Sequence, residues 1–166
     1  HGAYLLLRGR WTPESLDVAY PFGGLRGQAT TYLSSDDVAL RPSLALRVGG
    51  EKVWGTYPYF DAAYLGGADD LRGYRSGRFA GDASLWGNAE LRVFLTEFLF
   101  LLPGDLGGLV LADAGRIFLD GEDSSLWHSA LGGGLWIRWV DAYTASLSVA
   151  RSAEDTSLYF SLGFSF

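Results

Sequence analysis

Cysteine is missing from this chain, and so is methionine. Without cysteine there is no disulfide framework and no thiolate metal site. Without methionine there is no initiator, so the expectation is either that a signal peptide has been removed or that the 166 residues belong to a longer polypeptide. Charge is also scarce: only 19% of residues are charged, and the net charge of −6 argues against nucleic acid as a partner. Long apolar runs are absent as well, with no window near the ~18 continuous apolar residues of a transmembrane helix. Yet 48% of the residues are hydrophobic and 15% aromatic. High apolar content without a long run leaves two classes, a soluble β-sandwich and a transmembrane β-barrel whose apolar half faces lipid in alternation. The length suggests one domain, residues 1–166.

What is present is alternation. In the last ten residues Leu158, Phe160, Leu162, Phe164 and Phe166 share one face, and serines, Tyr159 and Gly163 share the other. A sandwich strand in water usually carries Lys, Glu or Thr on its polar face, whereas this one is small, as in a barrel interior. The same pattern marks strands at 4–11, 25–33, 43–53, 85–95, 108–118, 127–140, 143–151 and 157–166. Eight antiparallel strands fit an all-β outer-membrane barrel with both termini on the periplasmic side. Residues 96–107 break the expected rule of short periplasmic turns, because the apolar run there ends in Pro103-Gly104 and reads as a long connection. Trp11, Trp54, Trp86, Trp127, Trp139 and Tyr143 fall near strand ends, as aromatic girdles do.

One long stretch, about residues 54–83, does not alternate. Its centre, Gly66 to Asp82, is rich in glycine and aspartate and holds Arg72, Arg75 and Arg78. It reads as a loop with fixed internal structure, framed by the strands. Charged residues otherwise sit on the polar faces: Arg8, Arg10, Arg26, Arg47, Arg92 and Arg138, with Glu51, Glu90 and Asp113. In lipid an arginine at mid-membrane costs about 2–4 kcal/mol, so these residues are expected to face the lumen and find partners there. They either fill the barrel as a salt-bridged core or line a pore. Arg72 has two readings, a surface charge on a flexible loop or an inward arginine paired with Asp113 or Glu90 through charge-assisted hydrogen bonds. No catalytic constellation is present, since Asp123, His128 and Ser129 are near-neighbours in sequence and rarely form a triad. No metal cluster or phosphate loop is found. The expectation is a chain that is not an enzyme and carries no cofactor.

Leu71-Arg72-Gly73-Tyr74, followed by Arg78-Phe79-Ala80-Gly81-Asp82, closely resembles the sixth-loop signature of the bacterial surface-antigen family, the outer-membrane assembly barrels of the BamA and TamA type. Pro58-Tyr59-Phe60 through Leu65-Gly66-Gly67 looks like the lead-in to that loop. Gly87-Asn88-Ala89-Glu90-Leu91-Arg92 resembles the next strand, and Ala112-Asp113-Ala114-Gly115 the one after. Leu111 stands where the family usually has an aromatic. The ending Phe160, Leu162, Phe164, Phe166 is similar to the family's C-terminal strand signal. The resemblance implies a membrane barrel, Arg72 held in the lumen against Asp113 and Glu90, and a role in protein insertion or translocation. It covers the last eight of the family's sixteen strands, without the periplasmic delivery modules.

A closed eight-stranded barrel is just filled by side chains and has no room for a descending loop. The loop caps such a barrel, or two chains join edge to edge into sixteen strands, or the chain is the second half of a longer protein. Partners expected are outer-membrane lipid, a second copy of the chain, and client outer-membrane or secreted proteins. Two other functions fit the same residues: a passive structural barrel or narrow pore, and the membrane anchor of a secreted patatin-like lipase.

Overall fold

Alternating residues make two-faced strands, and two-faced strands bury one face by pairing into a sheet. The computed structural model describes residues 2–14, 20–35, 37–100, 102–123, 125–140 and 143–163. Eight long strands form one antiparallel sheet: β1 (Gly2–Thr12), β2 (Phe22–Ser34), β3 (Ser43–Gly55), β6 (Ala83–Phe100), β7 (Leu102–Phe118), β8 (His128–Trp139), β9 (Tyr143–Ser152) and β10 (Thr156–Leu162). Each pairs with its neighbour in that order. Two three-residue strands, β4 (Ala63–Leu65) and β5 (Phe79–Gly81), pair with each other inside the long loop.

Three expectations are corrected. Residues 96–107 are not a connection. β6 and β7 continue through them as a hairpin, with Leu99 opposite Pro103 and Phe100 opposite Leu102, after a register shift between Phe94 and Thr96. Pro103 is tolerated because it sits at the start of its strand. Short turns at this end of the sheet are thereby restored, since β6 and β7 are separated by residue 101 alone and β8 and β9 by residues 140–142. Second, the loop is not wholly free of strand, since β4 and β5 form a small hairpin within it. Third, the sheet is open. Among the described residues β1 pairs only with β2 and β10 only with β9, so one chain does not close a barrel. Phe164 and Phe166 lie outside the described residues.

The two faces invert the usual globular arrangement. On the outer face Leu5, Leu131 and Phe160 are 76%, 68% and 69% exposed, and Val110, Leu135 and Leu147 are exposed with them. On the inner face Arg47, Asn88, Glu90, Arg92 and Asp113 are buried. The long loop bonds to four of them, Arg47, Asn88, Glu90 and Asp113. Leu65, Leu71 and Tyr74 from the loop pack on Trp86, with Phe79 and Ile117 alongside. A second apolar cluster, Leu109, Leu111, Trp136 and Ala150, lies on the inner face beside Phe94 and Tyr159.

The strands are staggered. Followed from strand to strand, one row of opposed residues runs Gly2, Tyr32, Ala45, Glu90, Leu111, Gly132, Ala150, Ser157. β1 rises from this row and β10 descends from it. The two free edges are therefore displaced along the strand direction, which is how tilted strands of a barrel wall are arranged.

Candidate functional site

The site is the contact between the loop and the inner wall. Alternation puts Asn88, Glu90 and Arg92 on one face of β6, and register puts Asp113 of β7 directly opposite Asn88. These carboxylates point at the loop. Leu71, wholly buried, and Tyr74 anchor the loop on either side of Arg72-Gly73.

Arg72 is 3% exposed. Its Nε and Nη2 donate to the two oxygens of Asp113 at 2.8 and 2.7 Å, and its backbone N–H donates to Asp113 Oδ2 at 3.0 Å. Nη1 donates to Glu90 Oε2 at 2.7 Å. The other oxygen of Glu90 accepts from Arg92 Nε at 2.8 Å. The bidentate geometry toward Asp113 is the strong, orientation-specific form of the arginine–carboxylate pair. Burial works against the charge of Arg72. The hydrogen bonds and charge of Asp113, then of Glu90, outweigh it, so its pKa rises above the ordinary arginine value.

Gly73 follows with φ +85, and a Cβ there would stand 3.1 Å from the Ala130 Cβ and from the Ser152 nitrogen. Only glycine takes this conformation without strain and lets the loop backbone approach the wall. The Gly73 N–H donates to the Tyr159 hydroxyl at 2.7 Å, and its carbonyl accepts from Ser152 Oγ at 2.7 Å. Gly115 sits beneath the loop, where a Cβ would stand 3.0 Å from Leu65. Tyr74 and Phe79 meet edge-on at 5.3 Å, and Phe79 stacks on His128 at 3.8 Å. His128 is thus held in an aromatic stack, and Ser129 next to it lies on the opposite face of β8. Arg78 reaches the β9–β10 turn, where its Nε and Nη2 donate to Glu154 at 2.7 and 3.0 Å.

Asp82 closes the loop outside the strands. It accepts the Asp120 backbone N–H at 2.6 Å and the Tyr57 hydroxyl. Those two bonds hold its carboxyl below the usual range, and burial together with Asp82 pushes Tyr57 up to about 12. The folded pKa of Asp82 lies below its unfolded value. The stability it contributes is present above about pH 4 and is lost as pH falls through the folded pKa. Asp82→Asn is expected to flatten the acid limb of the unfolding midpoint relative to the parent chain, measured by denaturant titration between pH 7 and pH 2.

The structure brings Leu71, Arg72, Gly73, Tyr74, Asp113, Glu90, Arg92 and Gly115 into one contact. Arg78, Phe79, Gly81 and Asp82 form its margin, and Phe160 and Leu162 lie away from it on the outer face. A second polar cluster was not foreseen from the sequence. Arg26 Nη2 donates to Asp70 Oδ1 at 2.6 Å and its Nη1 to Glu51 Oε2 at 3.3 Å. Arg47 Nε donates to Asn88 Oδ1 at 2.9 Å and its Nη2 to the Asp69 carbonyl, while Asn88 Nδ2 donates to the Asp70 carbonyl at 3.0 Å. Burial raises the Asp70 carboxyl, with Arg26 acting the other way. The signal available was the Asp69-Asp70 pair directly before Leu71-Arg72, facing a wall already seen to carry arginines. Against protein-family models and curated proteins the chain has no match.

The arrangement fixes a loop to a sheet at three levels: Arg26 and Arg47 beneath Asp69-Asp70, Arg72 on Asp113 and Glu90, and Arg78 on Glu154. It offers no nucleophile paired with a base among these residues. Its chemistry is mechanical, a brace across the inner wall.

Proposed function

We propose that the chain is half of an outer-membrane barrel of the surface-antigen type, two copies of which close sixteen strands and assist insertion or translocation of other proteins. The observation that carries the reading is the inverted sheet: exposed leucines outside, a buried ion network inside, and two open edges. Such a sheet is stable where the outer face meets hydrocarbon and where edges are closed by pairing. Lipid is then the first partner, and an even strand number puts both ends of the sheet on the periplasmic side. The Arg72 brace supports the likeness to assembly barrels, because it holds the loop across the wall while leaving β1 and β10 unpaired within the chain. A seam between edge strands can open sideways without breaking the brace.

Reconstitution into liposomes tests the function. An unfolded outer-membrane β-barrel client is expected to reach a protease-protected, membrane-inserted state faster with the chain present than in protein-free liposomes. A steady conductance with no acceleration of client insertion assigns the chain to a passive barrel instead.

A further inference from the structure

The free edges carry enough pattern to fix how two copies would meet. We infer that β1 of one copy pairs antiparallel with β10 of a second copy in a single register, with Arg10 opposite the partner's Ser157 and Arg8 opposite the partner's Tyr159. The inference deepens the two-chain reading above and rests on it.

Three constraints select the register. The first is facing. Leu6, Arg8 and Arg10 are on the inner side of β1, because Arg8 is opposed by Arg26, which is bonded to Glu51 and Asp70 in the lumen. Ser157, Tyr159 and Ser161 are on the inner side of β10, since Tyr159 reaches Gly73. A one-residue slip would turn leucines inward and arginines into lipid, so inner residues must oppose inner residues.

The second is coverage. Unpaired N–H and C=O groups are not tolerated in hydrocarbon. All of Thr156–Leu162 must find partners within Gly2–Thr12. Only two registers with correct facing do this: Ser157 opposite Arg8, or Ser157 opposite Arg10.

The third is tilt. Through the sheet, Ser157 shares a row with Gly2. Pairing Ser157 with Arg10 slips the row by eight residues (10 − 2 = 8) over the eight strands of one copy. One residue per strand is about 3.3 Å of rise against about 4.8 Å of spacing, a tilt of about 35°, inside the range a barrel wall requires. Pairing Ser157 with Arg8 slips it by six (8 − 2 = 6), a tilt of about 27°, which is too upright.

The selected register also supplies what one copy lacks. Arg8 is exposed on the inner face, lines a cleft of about 460 Å³ with Arg10, Arg26, Arg47, Glu51 and Asp69, and has no hydrogen-bond or ion-pair partner among the described residues. Across the seam it meets the ring and hydroxyl of the partner's Tyr159. Arg10 is already held by Asp61 of its own chain, and the partner's Asp155, just before β10 and exposed, adds a second carboxylate diagonal to it. The occupant is a second copy and not the same chain's own far edge. The inner face already holds Leu65, Leu71, Arg72 and Tyr74 of the loop, all buried, and an eight-stranded barrel has interior only for wall side chains.

Because the chain has no cysteine, disulfide trapping reads this directly. Two differently tagged full-length chains, one with Ser161→Cys and the other with Leu6→Cys, Tyr4→Cys or Arg8→Cys, are mixed, folded into phospholipid vesicles and oxidised. Leu6→Cys is expected to bridge between chains at least about tenfold faster than the other two, because a two-residue slip carries the Cα pair beyond disulfide reach. Leu158→Cys with Gly9→Cys, against Leu7→Cys, repeats the test on the outer face. Faster bridging by Tyr4→Cys or Arg8→Cys overturns the register. Bridges that form only within doubly substituted single chains, or none in either series, overturn the second copy. The trapping is read without any client, so loss of insertion activity alongside a correct bridge contradicts the assembly role and leaves the seam standing.

Discussion

Arg72→Ala is expected to cost about 3–5 kcal/mol of folding stability, the range for removing one partner of a buried ion pair. The loss is larger than the loss of one contact because three charged groups share the site. Without the guanidinium, Asp113 Oδ2 keeps only the backbone N–H of residue 72, while Asp113 Oδ1 and Glu90 Oε2 lose the donor that Arg72 gave them. Each must either stay charged at a desolvation cost or take up a proton. The loop also loses its central tie, leaving the packing of Leu71 and Tyr74 and the flanking Arg26–Asp70, Arg47–Asp69 and Arg78–Glu154 contacts to hold it. Arg72→Lys retains the charge but not the fork, so it is expected to recover only part of the loss. A double change, Arg72→Met with Asp113→Asn, removes one charge of each sign, leaves Glu90 paired with Arg92, and is expected to be closer to the parent than Arg72→Ala, because no carboxylate is left without a cation. Urea unfolding in lipid vesicles measures all three. A loss under about 1 kcal/mol for Arg72→Ala would instead match an exposed ion pair and remove the brace.

Much of the wall was legible because a sheet with one apolar and one polar face writes itself in period two. Every long strand was placed by alternation, and the inward set of Arg8, Arg26, Arg47, Glu51, Glu90, Arg92 and Asp113 followed from the same parity. The misses have separate causes. Residues 96–107 hid a hairpin because Pro103-Gly104 is ordinarily a turn signal, and here both residues are paired, with Leu99 and Phe98. β4 and β5, at three residues each, are too short to show a period. The Arg26–Asp70 and Arg47–Asp69 contacts depend on how deeply the loop lies on the wall, and that depth is set by Leu71 and Tyr74 packing on Trp86, not by any spacing along the chain. The Arg72 contact was reached by its resemblance to a loop signature, where composition alone left the residue either inside or outside. Whether the sheet closes is not written in alternation at all, since every strand has the same two faces in an open sheet and in a barrel.

The central claim is that the exposed leucine face meets hydrocarbon, and Val110→Arg tests it most directly. Val110 lies midway along β7, on the outer face, 57% exposed, between the inward residues Leu109 and Leu111, both buried. An arginine there has open space to occupy, so no packing is lost. On a surface in water such a change shifts stability by no more than about 0.5 kcal/mol. At the midplane of a bilayer it costs about 2–4 kcal/mol, because the guanidinium must be dragged from water or must thin the membrane around it. The measurement is the denaturant unfolding free energy of the parent chain and of Val110→Arg, both folded into phospholipid vesicles, with Val110→Thr as the uncharged comparison. A loss of about 2–4 kcal/mol for the arginine, well beyond that for threonine, is the result expected of a lipid-facing wall; a change within about 0.5 kcal/mol contradicts it.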